Sequence, residues 1–143
     1  IFFDPRCPYC RAAYNGTRTH VRQGATIKWI PVALLGRREP TPDGKYLDQK
    51  GMRLSATILQ NGDPAFLERV LGRKEPIETA PAGATVNNLL DNEKMMTLLF
   101  QASPDSGDAG VPAALYLDHR TGIARLTTGL SEQVIREDIL GKP

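Results

Sequence analysis

The hydrophobic pattern at the start of the chain predicts a strand, a helix and a second strand. Ile1–Phe3 is a short apolar run, and Cys7–Gln23 follows with helical spacing of its apolar residues. Thr26–Leu34 is rich in β-branched and aromatic residues, which favours a strand. Because proline has no N–H to donate, we expect Pro31 at the sheet edge or at the end of this strand. Two strands joined by a helix in this way run parallel.

The middle of the chain is predicted to be helical, after a basic, proline-containing loop at Gly36–Lys45. Asp63 is a candidate N-cap with Pro64 in the first helical position. Thr85–Ala102 is helical in pattern, and Asp91 is a candidate cap of a second segment within it. A helix is also predicted between the basic loop and Asp63. Its apolar and small residues recur at helical spacing and are Leu47, Gly51, Leu54 and Ile58.

Two short strands and a helix are predicted near the end. Ala113–Asp118 and Ile123–Thr127 are joined by His119–Gly122, which is the spacing of a β-hairpin. Ser131 is a candidate cap of a last helix that ends at Gly141. The order βαβ, helical region, ββα predicts an α/β protein with a mixed sheet.

Length and charge narrow the classes of function. A length of 143 residues predicts one domain, and 18 Lys and Arg against 16 Asp and Glu leave a net charge of +2. This balance is too weak to indicate a nucleic-acid partner. The longest apolar run, Trp29–Leu35, is too short to span a bilayer, so no membrane insertion is expected. The chain opens on a strand without a signal segment, and we interpret it as a mature or trimmed chain.

Cys7-Pro8-Tyr9-Cys10 is the candidate for chemistry, because it lies between a strand and a helix. Unpaired N–H groups and the positive end of the helix dipole favour a thiolate in the first turn. A thiolate is the nucleophile in disulfide exchange, and a second cysteine nearby can resolve the intermediate. Cys10 falls on the apolar stripe of the helix and Cys7 on the opposite, basic stripe. We therefore expect Cys10 to be buried and Cys7 to be the exposed attacking residue.

Two arginines are candidates for stabilising that thiolate. Arg11 lies one turn after Cys7, and helical side chains lean toward the helix N-terminus, so its guanidinium can approach the sulfur. Arg6 is adjacent in sequence. Arg18 and Arg22 belong to the same stripe, and we interpret them as a solvated helix face.

The cysteine pair has two other interpretations, a metal site and a structural disulfide. A closed zinc site needs four ligands, and the two histidines lie far from the pair in sequence, so no metal is predicted. An inert structural disulfide closes too short a loop to stabilise the fold much. We interpret the remaining candidates as structural or packing residues: His20, His119, Trp29, Met95 and Met96.

Four segments resemble one family. Phe3–Cys10 resembles the active-site segment of the DsbG and DsbC family of periplasmic thiol:disulfide interchange proteins, and the Cys-Pro-Tyr-Cys motif is that of the DsbG branch. Leu90–Met96 is similar to a helical segment of DsbG. Gly110–Tyr116 resembles the cis-proline loop and the strand that follows it, and Gly129-Leu130 also fits. The resemblance covers nearly the whole chain in order.

The resemblance implies a thioredoxin fold with a helical insertion at about residues 47–102. It implies that Pro112 is cis and packs beside the cysteine pair, where the Val111 backbone would face an incoming extended peptide. No cofactor is implied beyond the redox-active disulfide Cys7–Cys10. The substrate-binding residues it implies are Pro8, Tyr9, Val111 and Pro112.

The expected function is that of a DsbG-like reductase or isomerase of disulfides in exported proteins. The resemblance implies a periplasmic location, cysteine-containing protein substrates and a membrane thiol reductant of DsbD type. Nothing in these residues corresponds to the family's N-terminal dimerisation domain, so we expect a monomer for this chain and a homodimer as the possibility for a full-length protein. Two alternatives stay open. The first alternative is a DsbA-like oxidase, because those oxidases have valine before the cis-proline, as at Val111, whereas the isomerases have threonine. The second alternative is a non-catalytic peptide- or metal-binding module.

Overall fold

The computed structural model describes residues 1–35, 50–81 and 83–143. The predicted loop at Gly36–Lys45 and the first residue of the predicted helical stripe, Leu47, lie outside the described residues. The protein is a mixed α/β structure with a four-stranded sheet, as the order of predicted elements indicated. Within the described ranges, no helix is long and apolar enough to cross a membrane.

The sheet is mixed and has the strand order β2-β1-β3-β4. β1 and β2 are parallel, with Phe2 opposite Ile30, as expected for a βαβ unit. β3 runs antiparallel to β1 and forms the predicted hairpin with β4. The strands are β1 (Phe2–Phe3), β2 (Ile30–Pro31), β3 (Ala113–Leu117) and β4 (Ala124–Thr128).

The second strand is much shorter than predicted. The composition of Thr26–Leu34 favours a strand throughout, but only Ile30–Pro31 is assigned to β2, because β1 offers paired residues only at Phe2 and Phe3. Hydrogen bonds across this pair include those from the Ile30 N–H to the Ile1 carbonyl (2.8 Å) and from the Val32 N–H to the Phe3 carbonyl (2.9 Å). Pro31 is the last residue of an edge strand, which confirms its predicted position.

The helices begin and end close to the predicted residues. Asp63 caps α3, because its Oδ1 accepts a hydrogen bond from the Ala65 N–H at 2.9 Å. Asp91 does not interrupt α4, so the predicted second cap was wrong. The segment contains no proline or glycine, and its packed side chains keep one helix face buried. The helices are α1 (Pro8–Arg22), α2 (Lys50–Asn61), α3 (Pro64–Leu67, continued by π-helical turns at Glu68–Gly72), α4 (Thr85–Gln101), a 3₁₀ turn (Pro104–Ser106) and π-helical turns at Val134–Ile139.

Adjacent side chains of β1 belong to different parts of the core. Because side chains alternate along a strand, Phe2 packs with Met96 of α4, whereas Phe3 packs in a cluster that contains both cysteines. We call that cluster the cysteine cluster; its buried members are Phe3, Cys7, Cys10, Tyr14, Ile58, Val70 and Leu71.

A glycine lets α2 approach the turn before α1. A Cβ atom added at Gly51 would lie 2.7 Å from the Leu35 carbonyl oxygen and 2.9 Å from Nη1 of Arg6. No such atom fits without movement of the backbone. Gly51 therefore fixes how closely α2 lies against the residues that lead into Cys7.

Substitution of Gly51 by alanine should lower the free energy of unfolding, although alanine is the better helix former. We expect a loss of about 1–3 kcal/mol from the steric contact with Leu35. Gly16 in α1 is the matched control, since a Cβ there has open space and should raise stability by about 1 kcal/mol. Urea unfolding of both variants measures this, and a Gly51→Ala protein more stable than the wild type would contradict the close approach.

Candidate active site

The candidate site is built at the junction of β1 and α1. Cys7 is the residue just before the helix, with extended backbone angles of φ −80° and ψ 121°. Pro8 takes the first helical position, where its missing N–H costs nothing. Cys10 follows in the first turn. The Cys7 side chain therefore starts from the positive end of the α1 dipole, which stabilises a negative charge there.

The two cysteines differ less in exposure than predicted. Cys10 is fully buried, as expected, but Cys7 has only 6% of its surface exposed. Its Sγ lies 3.7 Å from the carbonyl oxygen of Val111, so a distant loop covers it. Helical phase could not predict this cover, because Cys7 precedes the helix and the covering residue belongs to another element. The exposed residues of the motif are Pro8 and Tyr9, and Tyr9 is 76% exposed.

Burial also determines the chemistry of the Cys10 thiol. Burial raises the pKa of the Cys10 thiol, and the neighbouring Cys7 sulfur and Asp4 carboxylate raise it further, against a hydrogen bond with the Asp4 backbone. Both cysteines are free thiols in this structure. Cys10 therefore keeps its proton at neutral pH.

Asp4 is a buried residue that the sequence analysis did not single out. Its Oδ1 accepts a hydrogen bond from the Arg6 N–H at 2.9 Å, and its Oδ2 accepts one from the Leu35 N–H at 2.8 Å. Its backbone carbonyl accepts from the Cys7 N–H at 3.0 Å. Burial raises the pKa of this carboxyl, although the backbone hydrogen bonds act to lower it. The signal available in the sequence was Asp-Pro directly after a strand, which is typical of a side chain that closes a turn.

The loop before β3 lies against the cysteine pair. The peptide bond between Val111 and Pro112 is cis, as the resemblance implied. Pro112 is buried, and its carbonyl accepts a hydrogen bond from the Gly129 N–H at 2.7 Å, which ties the loop to the end of β4. Of the predicted site residues, Cys7, Cys10 and Val111 are thus brought together.

The two predicted thiolate-stabilising arginines have contacts with the helical region. Arg11 donates a hydrogen bond from Nη2 to the Val70 carbonyl at 3.1 Å. The Arg6 guanidinium is exposed and lies beside Gly51 of α2. That these two arginines stabilise a Cys7 thiolate stays a prediction. The stabilisation would be electrostatic, without a direct hydrogen bond to the sulfur.

A tyrosine links α1 to the π-helical turns next to the site. The Tyr14 hydroxyl donates to Oε2 of Glu68 at 2.7 Å, and the Arg18 guanidinium lies 3.8 Å from the centre of the Tyr14 ring. Burial and the Glu68 hydrogen bond raise the pKa of Tyr14 to about 12. Arg18, interpreted as part of a solvated face, thus has a packing contact.

The residues interpreted as structural have packing or surface contacts. Trp29 packs edge-on against Phe3 with 5.6 Å between ring centres, and Nε2 of His20 lies 3.2 Å from Oε1 of Glu132. Met96 is buried, whereas Met95 is 54% exposed. In the part of the chain that the structure describes, no group of three or more His, Cys, Asp or Glu side chains is arranged to hold a metal ion.

Comparison with known proteins does not place this chain in a family. The chain matches no protein-family model and no curated protein. Any assignment of function therefore depends on the residues of this site and on the resemblance of its motifs.

In the reduced protein at neutral pH, iodoacetamide should alkylate Cys7 before Cys10. Cys10 has no exposed surface and a raised pKa, whereas Cys7 keeps some exposure at the helix N-terminus. Peptide mapping by mass spectrometry should show a rate difference of about tenfold or more, since each pKa unit changes the thiolate fraction about tenfold. Unfolding in denaturant should remove the difference, and earlier labelling of Cys10 in the native protein would contradict the geometry.

The stability difference between wild type and Asp4→Asn should depend on pH. The folded pKa of Asp4 is raised above its ordinary 3.8, so the folded state binds this proton more tightly than the unfolded state. The contribution of Asp4 is therefore fully present below pH 3.8 and is lost as the pH rises through the folded pKa. Urea unfolding of both proteins across this range measures the difference, and a constant or rising contribution of Asp4 would contradict it.

Proposed function

We propose that the protein is a DsbG-like thiol-disulfide oxidoreductase that reduces or isomerises disulfides in exported proteins of the periplasm. One observation carries this proposal. The Cys7 sulfur lies at the N-terminus of α1 and 3.7 Å from the Val111 carbonyl, while Cys10 is fully buried one turn into the helix. An attacking sulfur carries out disulfide exchange, and a second sulfur nearby can resolve the mixed disulfide when the substrate is reduced.

The order of the sheet supports a thioredoxin fold for this site. β1 and β2 are parallel across α1, the β3–β4 hairpin is antiparallel, and a helical segment follows it. This is the βαβ plus ββα arrangement that the resemblance implied. Three helices, α2 to α4, lie between β2 and β3 and correspond to the proposed helical insertion.

The reaction proceeds through two exchanges. The Cys7 thiolate attacks one sulfur of a substrate disulfide, which forms a Cys7–substrate bond and releases the other substrate sulfur as a thiolate. Cys10 then attacks the Cys7 sulfur, its proton passes to the departing substrate sulfur, and the Cys7–Cys10 disulfide forms. The substrate gains two electrons and the enzyme loses two, so a thiol reductant must restore the dithiol. In isomerisation, a substrate thiolate attacks the mixed disulfide instead, and the enzyme leaves reduced.

The raised pKa of Cys10 supports the order of these steps. A protonated Cys10 does not compete with Cys7 for the substrate disulfide, so Cys7 attacks first and Cys10 reacts only once the mixed disulfide supplies a leaving sulfur. The Val111 backbone and the exposed Tyr9 flank Cys7 and form a surface to which an extended substrate segment can add as a strand.

Val111 also favours a second candidate, a DsbA-like oxidase that runs the same exchanges in reverse. The reduction potential of the Cys7–Cys10 pair separates the two, because an oxidase has a strongly stabilised dithiol form. Equilibration with glutathione redox buffers measures that potential. A value near those of oxidases would favour the second candidate.

Cys10→Ser should accumulate mixed disulfides with substrate proteins, since Cys7 attacks and nothing resolves the bond. Cys7→Ser is the matched control and should accumulate few. Non-reducing electrophoresis after incubation with a disulfide-containing protein measures both. Equal trapping by the two variants would contradict the assigned roles, and no exchange by the wild type would overturn the proposed function.

A further inference from the structure

A cavity lies next to the cysteine motif and includes Arg6 and Arg11 in its lining. It has a volume of about 380 Å³ and is lined by parts of α2, by the residues after the π-helical turns and by both arginines that flank the cysteine motif. Its charged lining residues are Arg6, Arg11, Lys50, Lys74 and Glu75. We call this cavity the basic pocket.

Glu75 is the single acidic residue in the described lining of the basic pocket, and its carboxylate is paired with two arginines outside that lining. Glu75 accepts a hydrogen bond from Nε of Arg69 at 2.7 Å and lies 3.3 Å from Nη1 of Arg73. Its pKa is lowered, first by the Arg69 hydrogen bond, so the carboxylate is ionised and held by those two arginines. The four cations of the basic pocket therefore lack a matching charge within the described lining.

Arg11 has an unused donor at this pocket. Its Nη2 donates to the Val70 carbonyl, but its buried Nε has no hydrogen-bond partner in residues 1–35, 50–81 and 83–143. A guanidinium N–H that is removed from water without an acceptor is costly. Arg11 therefore brings to the pocket lining a charge that the described residues pair only through the Val70 carbonyl.

Lys74 has a backbone conformation that favours glycine. Its φ is 55°, and it is the one non-glycine residue of the described chain with a positive φ. Its side chain is exposed at the pocket. A charged residue kept in such a conformation is consistent with a use for the charge.

Two residues that line the basic pocket, Arg6 and Arg11, are joined to Cys7 through the backbone. Arg6 immediately precedes Cys7, and the Arg11 N–H donates to the Cys7 carbonyl at 3.2 Å. For a peptide whose sulfur is bonded to Cys7, we expect side chains next to the bonded cysteine to extend toward these guanidiniums. The preferred ligand of such a group of cations is a carboxylate, which pairs with arginine in a planar, hydrogen-bonded geometry.

We infer that the basic pocket selects disulfide substrates that carry a carboxylate side chain next to the reacting cysteine. The inference rests on the proposed function and adds to it a substrate class, which is an acidic peptide segment. The attraction between these cations and the peptide carboxylate acts mainly while the peptide approaches the protein. It should therefore raise the second-order rate constant of disulfide exchange, and salt should weaken the effect.

The test uses three short peptides, each with one cysteine held as an uncharged 2-pyridyl mixed disulfide. They differ only in the residues beside the cysteine, which are Glu, Gln or Lys. Reduced wild-type protein releases pyridine-2-thione, and its absorbance gives the rate constant. At low ionic strength we expect the Glu peptide to react about tenfold faster than the Gln peptide, in line with electrostatic steering, and the Lys peptide to be slowest.

The variant that tests the pocket is Lys50→Gln with Lys74→Asn, which removes two exposed charges and places at 74 a residue that tolerates the left-handed conformation. The ratio of Glu to Gln rate constants should fall toward one. Arg22→Gln with Lys28→Gln is the matched control, because it removes two exposed charges at residues that do not line the basic pocket, and should keep the ratio.

Equal rates for the Glu and Gln peptides in the wild type would overturn the inference and leave the proposed function intact. An equal fall of the Glu to Gln rate ratio in the control double variant would also overturn the inference, since the preference would then depend on the net charge of the protein and not on the basic pocket. If the wild-type protein released pyridine-2-thione from every peptide no faster than the Cys7→Ser variant, the proposed function itself would be overturned, and the inference with it.

Discussion

The buried carboxylate of Asp4 holds the segment on which the candidate site depends. It accepts backbone hydrogen bonds from Arg6 on one side and from Leu35 on the other, and its own carbonyl accepts from Cys7. The end of β1, the start of α1 and the chain after β2 are thus joined at a single residue. Because all three bonds are to the backbone, they fix the path of the chain whatever the neighbouring side chains are. The position of Cys7 at the helix N-terminus follows from that path.

The chemical difference between the two thiols follows from the same junction. Cys10 belongs to the helix and faces the core, so burial sets its behaviour. Cys7 precedes the helix and meets the carbonyl of Val111, so its surroundings come from the dipole of α1 and from a loop of another part of the chain. Two residues of the same type, three positions apart, thereby have unlike surroundings. In the proposed reaction this difference separates the attacking sulfur from the resolving one.

Local features could be predicted from the sequence, and long-range contacts could not. The cap at Asp63, the strand-ending Pro31 and the hairpin depend on neighbouring residues, and the structure confirms all three. The length of β2 depends on its partner strand, and β-propensity says nothing about a partner. The cover over Cys7 and the burial of Asp4 come from contacts with Val111 and Leu35, which no periodicity in the sequence records. The site residues could therefore be named before their surroundings were known.

The shortness of β1 has a consequence for how this chain can change. Phe2 and Phe3 face opposite halves of the core, and only four residues link the strand to Pro8 at the start of α1. A residue inserted into that link or deleted from it would move the start of α1 relative to β1, and the hydrogen bonds of Asp4 with Arg6 and Cys7 would not all form at their present spacing. The Cys7 sulfur would then lose its place beside the Val111 carbonyl even though every chemical group was retained. The length of the link between Phe3 and Pro8 is thus a constraint on insertions and deletions in this chain, alongside the two cysteines.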